Sequence, residues 1–341
     1  MNRSRPTTLE DVARVAGVSR ATVSFALTGT GRLSDETRER VRRIAAELDY
    51  AVNIGARNLR RAKAGAIGIY LPESTNGLAY YMNFLFGVVE VAAASSLSVT
   101  IVPGGRARDA GRAHVDGFIL IDPPDDDDSV RSILASRMPV VSGEITPAGA
   151  DRPWGTVYSD HASGMRAILD HLLERGARRP ALLAPPTTTA WAREVRASYL
   201  AWCAEQAIQP LVEDSTRRAT PDDVRRITTG LLSASATPDA IISAPDGSAV
   251  GAVSAVRALG LSVGDDVLVT AYADSLAMEM CDPPVTAIDL HARDFGVRCA
   301  ALLLQALGDP GPAAEEVQEA FTIDLRARAS TLGRGAAPAT V

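Results

Sequence analysis

Lysine is nearly missing from this chain: of its 35 basic residues, Lys63 alone is not arginine. Cationic contacts therefore fall to guanidinium groups, whose paired donors suit phosphate and carboxylate alike. Cysteine is scarce too. Cys203, Cys281 and Cys299 are odd in number, far apart and without Cys-x-x-Cys spacing, which excludes a disulfide framework and a thiolate metal site. Four histidines, His114, His161, His171 and His291, lack metal-ligand spacing and are expected as surface or capping residues. No apolar run approaches the ~18–20 residues of a membrane span. Glu10 and Asp11 stand where an export signal needs an apolar stretch, so the expected compartment is the cytoplasm. A phosphate-binding loop, a dinucleotide fingerprint and a nucleophile elbow are all missing, so no catalytic residue, cofactor or metal is nominated. The acidic run at 125–128 follows Pro123-Pro124 and is expected as solvated surface.

What is present divides in two. The 341 residues suffice for two or three domains. Residues 1–65 carry 13 Lys and Arg against 7 Asp and Glu, a net of +6, whereas residues 66–341 carry 22 against 34, a net of −12. A basic head on an acidic body points to a polyanion at the head. In that head Leu9, Val12, Ala13 and Ala16 share one helical face, with Thr8 as cap and Glu10 and Asp11 favoured by the helix dipole. Gly17 offers a left-handed turn, Val18 a buried plug and Ser19 a second cap before a helix over 20–27 that turns Val23, Ala26 and Leu27 inward. After a loop at 29–31, Ser34-Asp-Glu-Thr37 reads as a capping box, and Val41, Ile44, Ala45 and Leu48 keep helical spacing up to Tyr50. The pattern predicts three short helices around one core, the first two joined by a tight turn.

From Ala66 the texture changes. Short apolar runs at 66–71, 97–102, 117–121, 139–142, 181–184, 240–243 and 267–271 read as buried strands, and helices are expected at 81–94, 162–175, 193–206, 248–259 and 294–307. Such alternation predicts parallel sheets covered on both faces. The ~275 residues involved exceed one comfortable core, so two doubly wound subdomains with a cleft between them are expected. Between the strands at 97–102 and 117–121 there is room for at most a turn or two of crossover helix. Beyond Leu332 the Gly/Ala/Pro-rich tail has no core pattern and is expected to be mobile.

The run Thr8-Leu-Glu-Asp-Val-Ala-Arg-Val-Ala-Gly-Val-Ser-Arg-Ala-Thr-Val-Ser24 resembles the N-terminal signature of the LacI/GalR (lactose-repressor) family of bacterial transcription regulators. The likeness continues through Val41, Ala46-Glu-Leu-Asp-Tyr50, Asn53 and Ala56-Arg-Asn-Leu59. In the body it includes Val157-Tyr-Ser-Asp160, Gly164, His171-Leu172, Gly176, Pro238-Asp-Ala240, Asp246, Val250-Gly251, Pro283-Pro-Val-Thr286 and Arg328-Ala-Ser-Thr331, and so covers nearly the whole chain. The resemblance implies a helix-turn-helix head at 1–51, a hinge at 52–64 and a bilobed, periplasmic-binding-protein-like body at 65–331. Its subdomains would take about 65–157 with 291–318, and about 158–288 with 321–331, followed by the tail at 332–341. It further implies a homodimeric repressor on a pseudo-palindromic operator in double-stranded DNA, modulated by a small-molecule effector, with no role at a membrane.

For DNA contact the second helix supplies Arg20 for guanine, Ala21 and Phe25 for thymine methyls, and Ser19, Thr22 and Ser24 hydroxyls for phosphates or bases, with Thr8 beside them. Phe25 has an alternative, packing on the third helix. The hinge carries Asn53, Ala56, Arg57, Leu59 and Arg60; by family likeness two hinge helices pair in the minor groove with Leu59 as a wedge. Val52 departs from the family's proline, and a bland linker is the other reading. By family position the effector set is Tyr80, Tyr81, Glu144, Asp160, Trp191, Arg193, Arg196, Asp246, Tyr272 and Asp274. Val195, Pro245 and Ala273 stand where sugar-binding members carry polar contacts, which favours a ligand less hydroxyl-rich than a simple monosaccharide. In the alternative, Arg193 or Arg196 restores a charge for a sugar or an acid. The rival to a regulator is a solute-binding protein or a sugar-processing enzyme on the same scaffold.

Overall fold

The computed structural model describes residues 7–29, 31–50, 63–73, 78–105, 112–216, 219–235, 237–308 and 317–333. Met1–Ala64 and Gly65–Val341 form two compact units. In the first, α1 (Leu9–Ala16), α2 (Arg20–Thr28) and α3 (Asp35–Glu47) enclose Val12, Ala13, Ala16, Val23, Ala26, Val41, Ile44 and Ala45. Thr8 caps α1: its hydroxyl accepts from Asp11 N–H at 3.3 Å, while Thr8 N–H donates to the Asp11 carboxylate at 3.0 Å. Gly17, at φ 64°, reverses the chain, and Ser19 caps α2 through Thr22 N–H at 3.1 Å. At α3 the expected box is only a single cap. Ser34 accepts from Thr37 N–H, and Thr37 has no carboxylate to return the bond, which is why the reciprocal pair forms at Thr8 and Asp11.

The second unit holds two six-stranded sheets. One has the order β11-β5-β4-β3-β1-β2, made of β1 (Ala66–Leu71), β2 (Ser98–Pro103), β3 (Phe118–Ile121), β4 (Val140–Gly143), β5 (Gly155–Ser159) and β11 (Val317–Phe321), all parallel. The other, β12-β10-β9-β8-β6-β7, contains β6 (Pro180–Ala184), β7 (Leu211–Asp214), β8 (Ala240–Ser243), β9 (Leu268–Ala271), β10 (Thr286–Asp289) and an antiparallel edge, β12 (Asp324–Arg326). The chain crosses between sheets after Ser159, Asp289 and Phe321, slightly beyond the expected limits at 157 and 318.

Each sheet is covered on both faces. On the first, α4 (Leu78–Ala94) and α11 (Ala292–Gly308) bury Phe84, Val88, Phe295 and Leu303 against Ile67 and Ile119, while α5 (Asp128–Leu134) packs Val130 and Ile133 on Tyr70 and Phe118. On the second, α6 (His161–Glu174) and α7 (Ala190–Glu205) cover one face, and α8 (Pro221–Leu232) and α9 (Ala249–Ala258) the other. Two short helices, α10 (Leu276–Met280) and α12 (Ala329–Leu332), complete the unit; α12 already includes the first residue of the expected tail, and 334–341 lie outside the described residues. Where α4 crosses α11, a Cβ on Gly296 would stand 2.1 Å from Phe84 O and one on Gly87 2.0 Å from Arg293 O, so only glycine permits this approach.

Two expectations fail on tertiary grounds. The run at 125–128 is not merely solvated: the Asp127 carboxylate accepts from Ser129 N–H at the start of α5, from Tyr70 O–H at 2.7 Å and from Gly105 N–H at 2.9 Å, and Asp125 pairs with Arg193. Burial raises the Asp127 carboxyl, but those hydrogen bonds outweigh it and hold it below the usual range. His161 and His171 are buried, not surface residues; His171 Nε2 lies 2.7 Å from Thr331 Oγ1. In the short connection after β2, residues 106–111 lie outside the described residues, and 104–105 and 112–117 are not helical.

Candidate functional site

In the head, α2 turns Val23 and Ala26 into the core, and the 3.6-residue period therefore leaves Arg20, Ala21 and Phe25 exposed. The Arg20 side chain is 66% exposed, with Glu10 Oε2 at 3.9 Å, a pair too open to hold it. Ser19 and Thr22 hydroxyls lie 2.8 Å apart, Ser24 is half-buried, and Thr8 Oγ1 donates to the Asp11 carboxylate at 2.6 Å as well as accepting from Asp11 N–H. Phe25 remains 45% exposed, and its ring lies over Gly31, where a Cβ would come within 2.8 Å of Phe25 Cγ. The ring is therefore seated on the α2–α3 loop with a free face, not buried on α3. Asn53, Ala56, Arg57, Leu59 and Arg60 lie outside the described residues.

In the body, a cavity of about 890 Å³, counted with its open mouth, lies at the carboxyl ends of strands from both sheets, where small-molecule sites form in such folds. Pro72 follows β1, Asp122 follows β3, Glu144 follows β4, Asp246 follows β8 and Tyr272 follows β9; Tyr80 and Tyr81 come from α4 and Trp191 from α7. The sheets meet through polar contacts: Trp191 Nε1 donates to Asp122 Oδ2 at 2.8 Å, Tyr80 N–H reaches Asp246 Oδ2 at 3.4 Å, and His161 Nε2 stands 3.1 Å from Glu144 Oε1. Tyr81 O–H also donates to Asp122 Oδ2, at 3.0 Å, and His161 Nδ1 lies 2.8 Å from the Tyr272 hydroxyl oxygen. Asp122 and Glu144 have positive φ, 46° and 89°, a conformation that costs side-chain-bearing residues about 1–3 kcal/mol and clusters at functional sites.

Burial dominates the electrostatics. It pushes the Asp122 carboxyl up to about 7 despite opposing hydrogen bonds from Trp191 and Tyr81, and raises Asp246 to about 6. For His161, burial alone lowers the value, but the Glu144 carboxylate and its contact outweigh it and favour the cation. Burial also keeps the Tyr80, Tyr81 and Tyr272 hydroxyls protonated well above their ordinary range, so they serve as neutral donors.

Of the expected effector set, Tyr80, Tyr81, Glu144, Trp191, Asp246 and Tyr272 are brought together. Four are not among the lining. Asp160 caps α6 through Ser163 N–H at 2.9 Å; Arg193 is paired with Asp125 and Arg196 with Asp214; Asp274 forms a two-pronged pair with Arg328 at 2.7 and 2.8 Å, which ties the end of the chain to the second sheet. Val195 is buried in the core behind Tyr272 and Trp191, whereas Pro245 and Ala273 line the cavity. Asp122 and His161 were not expected there. Asp122 had a signal, a lone acid directly after the apolar strand at 118–121; His161 had none, since only the fold brings it to Glu144.

The model for bacterial regulatory proteins of the lacI family matches residues 8–53, and that for a periplasmic binding protein-like domain matches residues 169–331. The transcriptional regulator CelR of Thermobifida fusca is 28% identical over 343 residues, 97% of this chain and all of that protein. Among solved structures, the Lac repressor dimer bound to operator and the anti-inducer ONPF superposes with a TM-score of 0.83 at 27% identity, covering 96% of this chain and 100% of that one. The CelR–cellobiose complex gives 0.71 at 28% identity, with the same coverage. A lacI-type head and a two-sheet, periplasmic-binding-protein-like body in one chain define a DNA-binding transcriptional regulator. The chain belongs to the LacI/GalR family.

Proposed function

We propose that the protein is a repressor that binds a pseudo-palindromic operator as a homodimer and is modulated by a small molecule held between the lobes. The observation that carries this reading is the pairing of an exposed α2 face, Arg20, Ala21 and Phe25, with a cavity built from strand ends of both sheets. Arg20 forks onto guanine, Ala21 and Phe25 meet thymine methyls, and Thr8, Ser19, Thr22 and Ser24 fix the backbone register. Asn53, Ala56, Arg57, Leu59 and Arg60 act in a hinge at 52–64, between a head at 1–51 and a body at 65–331. Self-association is supported by exposed Met82, Phe86 and Val89, spaced to share one face of α4, and by exposed Leu276 and Met280 on α10. The similarity to a Lac repressor dimer on operator and to a cellobiose-bound regulator supports operator and effector roles.

The effector set becomes Tyr80, Tyr81, Asp122, Glu144, His161, Trp191, Asp246 and Tyr272, in a cavity that Pro245 and Ala273 make more apolar. Its work is binding without catalysis, in the cytoplasm. A gel shift of the full chain on DNA from its own promoter tests the reading. A retarded complex that survives excess random DNA is expected, and light scattering should give a dimer. Retardation abolished equally by random DNA, or a stable monomer at micromolar concentration, would overturn it.

A further inference from the structure

The charged side chains that line the cleft are weighted towards carboxylates. Asp122, Glu144 and Asp246 line it, and His161, committed to Glu144 at 3.1 Å, is the basic side chain among its lining residues. Arg193 and Arg196 are bound to Asp125 and Asp214. Asp122, only 6% exposed, uses Oδ2 for both Tyr81 and Trp191, while Oδ1 is buried without a donor. Beside it, Trp191 and Tyr272 stack at 15° with centroids 6.1 Å apart, and Tyr80 meets Tyr81 edge to face at 5.5 Å.

We propose that the cleft selects a small ligand carrying a protonated amine next to a flat apolar face, the amine at Asp122 and the face against the Trp191 and Tyr272 rings. The proposal rests on the cleft being the effector site. A buried acceptor without a donor is satisfied most strongly by a charged one. Aromatic faces attract cations, and Pro72, Pro124, Pro185, Pro186, Ala273 and Leu290 offer apolar surface in place of further hydroxyl partners. Sugar acids and phosphate esters meet the Asp246 carboxylate and a partly ionised Asp122, with the one lining cation, His161, already paired to Glu144. Burial keeps Asp122 partly protonated near neutrality, and a bound cation draws that proton off, so amine affinity rises with pH through the neutral range. The charged and titratable groups acting on Asp122 include Glu144, His161, Tyr81 and Tyr80, with no arginine or lysine among them to compete with the amine.

Calorimetry on the full chain with charge-matched probes decides it: tyramine against para-ethylphenol and phloretate, and glucosamine against N-acetylglucosamine. At least one amine should saturate and bind about tenfold or more tightly than its neutral partner, the value of one charge-assisted contact. Asp122→Asn should erase that preference while the neutral partner's weak binding persists, and wild-type tyramine affinity, which needs no variant, should rise with pH through the neutral range. Preference for neutral or acidic partners, saturation by neither amine, an intact amine preference in Asp122→Asn, or a tyramine affinity flat in pH overturns the proposal. Failure of the regulator reading is separate: operator binding is read by gel shift, and a neutral sugar that releases operator would keep the regulator while removing amine selectivity.

Discussion

The head displays its candidate recognition groups outward from a single helix, whereas the cleft gathers its lining from strand ends of two sheets and from three helices, α4, α6 and α7. In the head, Ser19 caps α2 and Val23 faces the core, so Arg20, Ala21 and Phe25 have only one direction left. In the cleft, Asp122, Glu144 and His161 are distant in sequence and are all buried, so their properties are set by one another. Recognition on an exposed helix is thus local and salt-sensitive. In the cleft the charge states of the lining groups depend on one another, and through them on pH.

The largest expected effect breaks this comparison at the cleft. Asp122, Asp246 and His161 all have folded values raised above the unfolded ones. Their stabilisation is fully present below the unfolded values and lost as pH rises through the folded ones. For Asp122 and Asp246 stability should therefore fall between about pH 4 and pH 7, with Asp122 contributing on the order of 2–4 kcal/mol, and His161 continues the loss at higher pH. Asp122→Asn should flatten that slope in denaturant titrations; an unchanged slope would assign it to other groups.

Next is the helix crossing that supports the cleft. Gly296→Val places side-chain atoms against Phe84 O and should cost about 1–3 kcal/mol or more, read as a lower unfolding midpoint of the body. A wild-type midpoint would mean that α4 and α11 separate freely.

At the head, Arg20→Ala should relax preference by ~1–3 kcal/mol at one base pair, with a smaller loss on random DNA. Equal losses on operator and random DNA would make Arg20 a phosphate contact. The smallest effect is the cap: Thr8→Ala should destabilise the head by about 1 kcal/mol, and Thr8→Ser should restore most of it. Hydrogen exchange of the α1 amides checks this, and no change would show that the Asp11 side of the box suffices.

Legibility follows the same division. The apolar strands at the sheet centres, such as β3 and β8, are readable because both faces are buried. Edge strands β7, β11 and β12 are not, since their half-exposed, charged sequences lack a run or a clear alternation. β5 opens on Gly155 and Thr156, and β10 has only Ala287 and Ile288 between Thr286 and Asp289, so neither presents an apolar run. The helix α8 does carry a sign, the Thr220–Asp223 capping box with Pro221 at its start, although its apolar residues alone do not single it out. Asp160, Arg193, Arg196 and Asp274 show the limit at the site. Family position brings them to the neighbourhood of the cleft, but a cap or an ion partner from elsewhere in the chain then takes each one.

By itself, the sequence determined the class of each part: periodicity, caps and turn residues specify a helix-turn-helix head, and alternating apolar runs and helices specify two wound sheets, because those signals act within a few residues. Tertiary structure alone decided the chemistry of the cleft. Only folding brings Tyr81 and Trp191 to one oxygen of Asp122, sets His161 against Glu144 and draws two arginines away to aspartates. Hydrogen bonds and charge at a buried site depend on what stands opposite in space, and no local pattern encodes that.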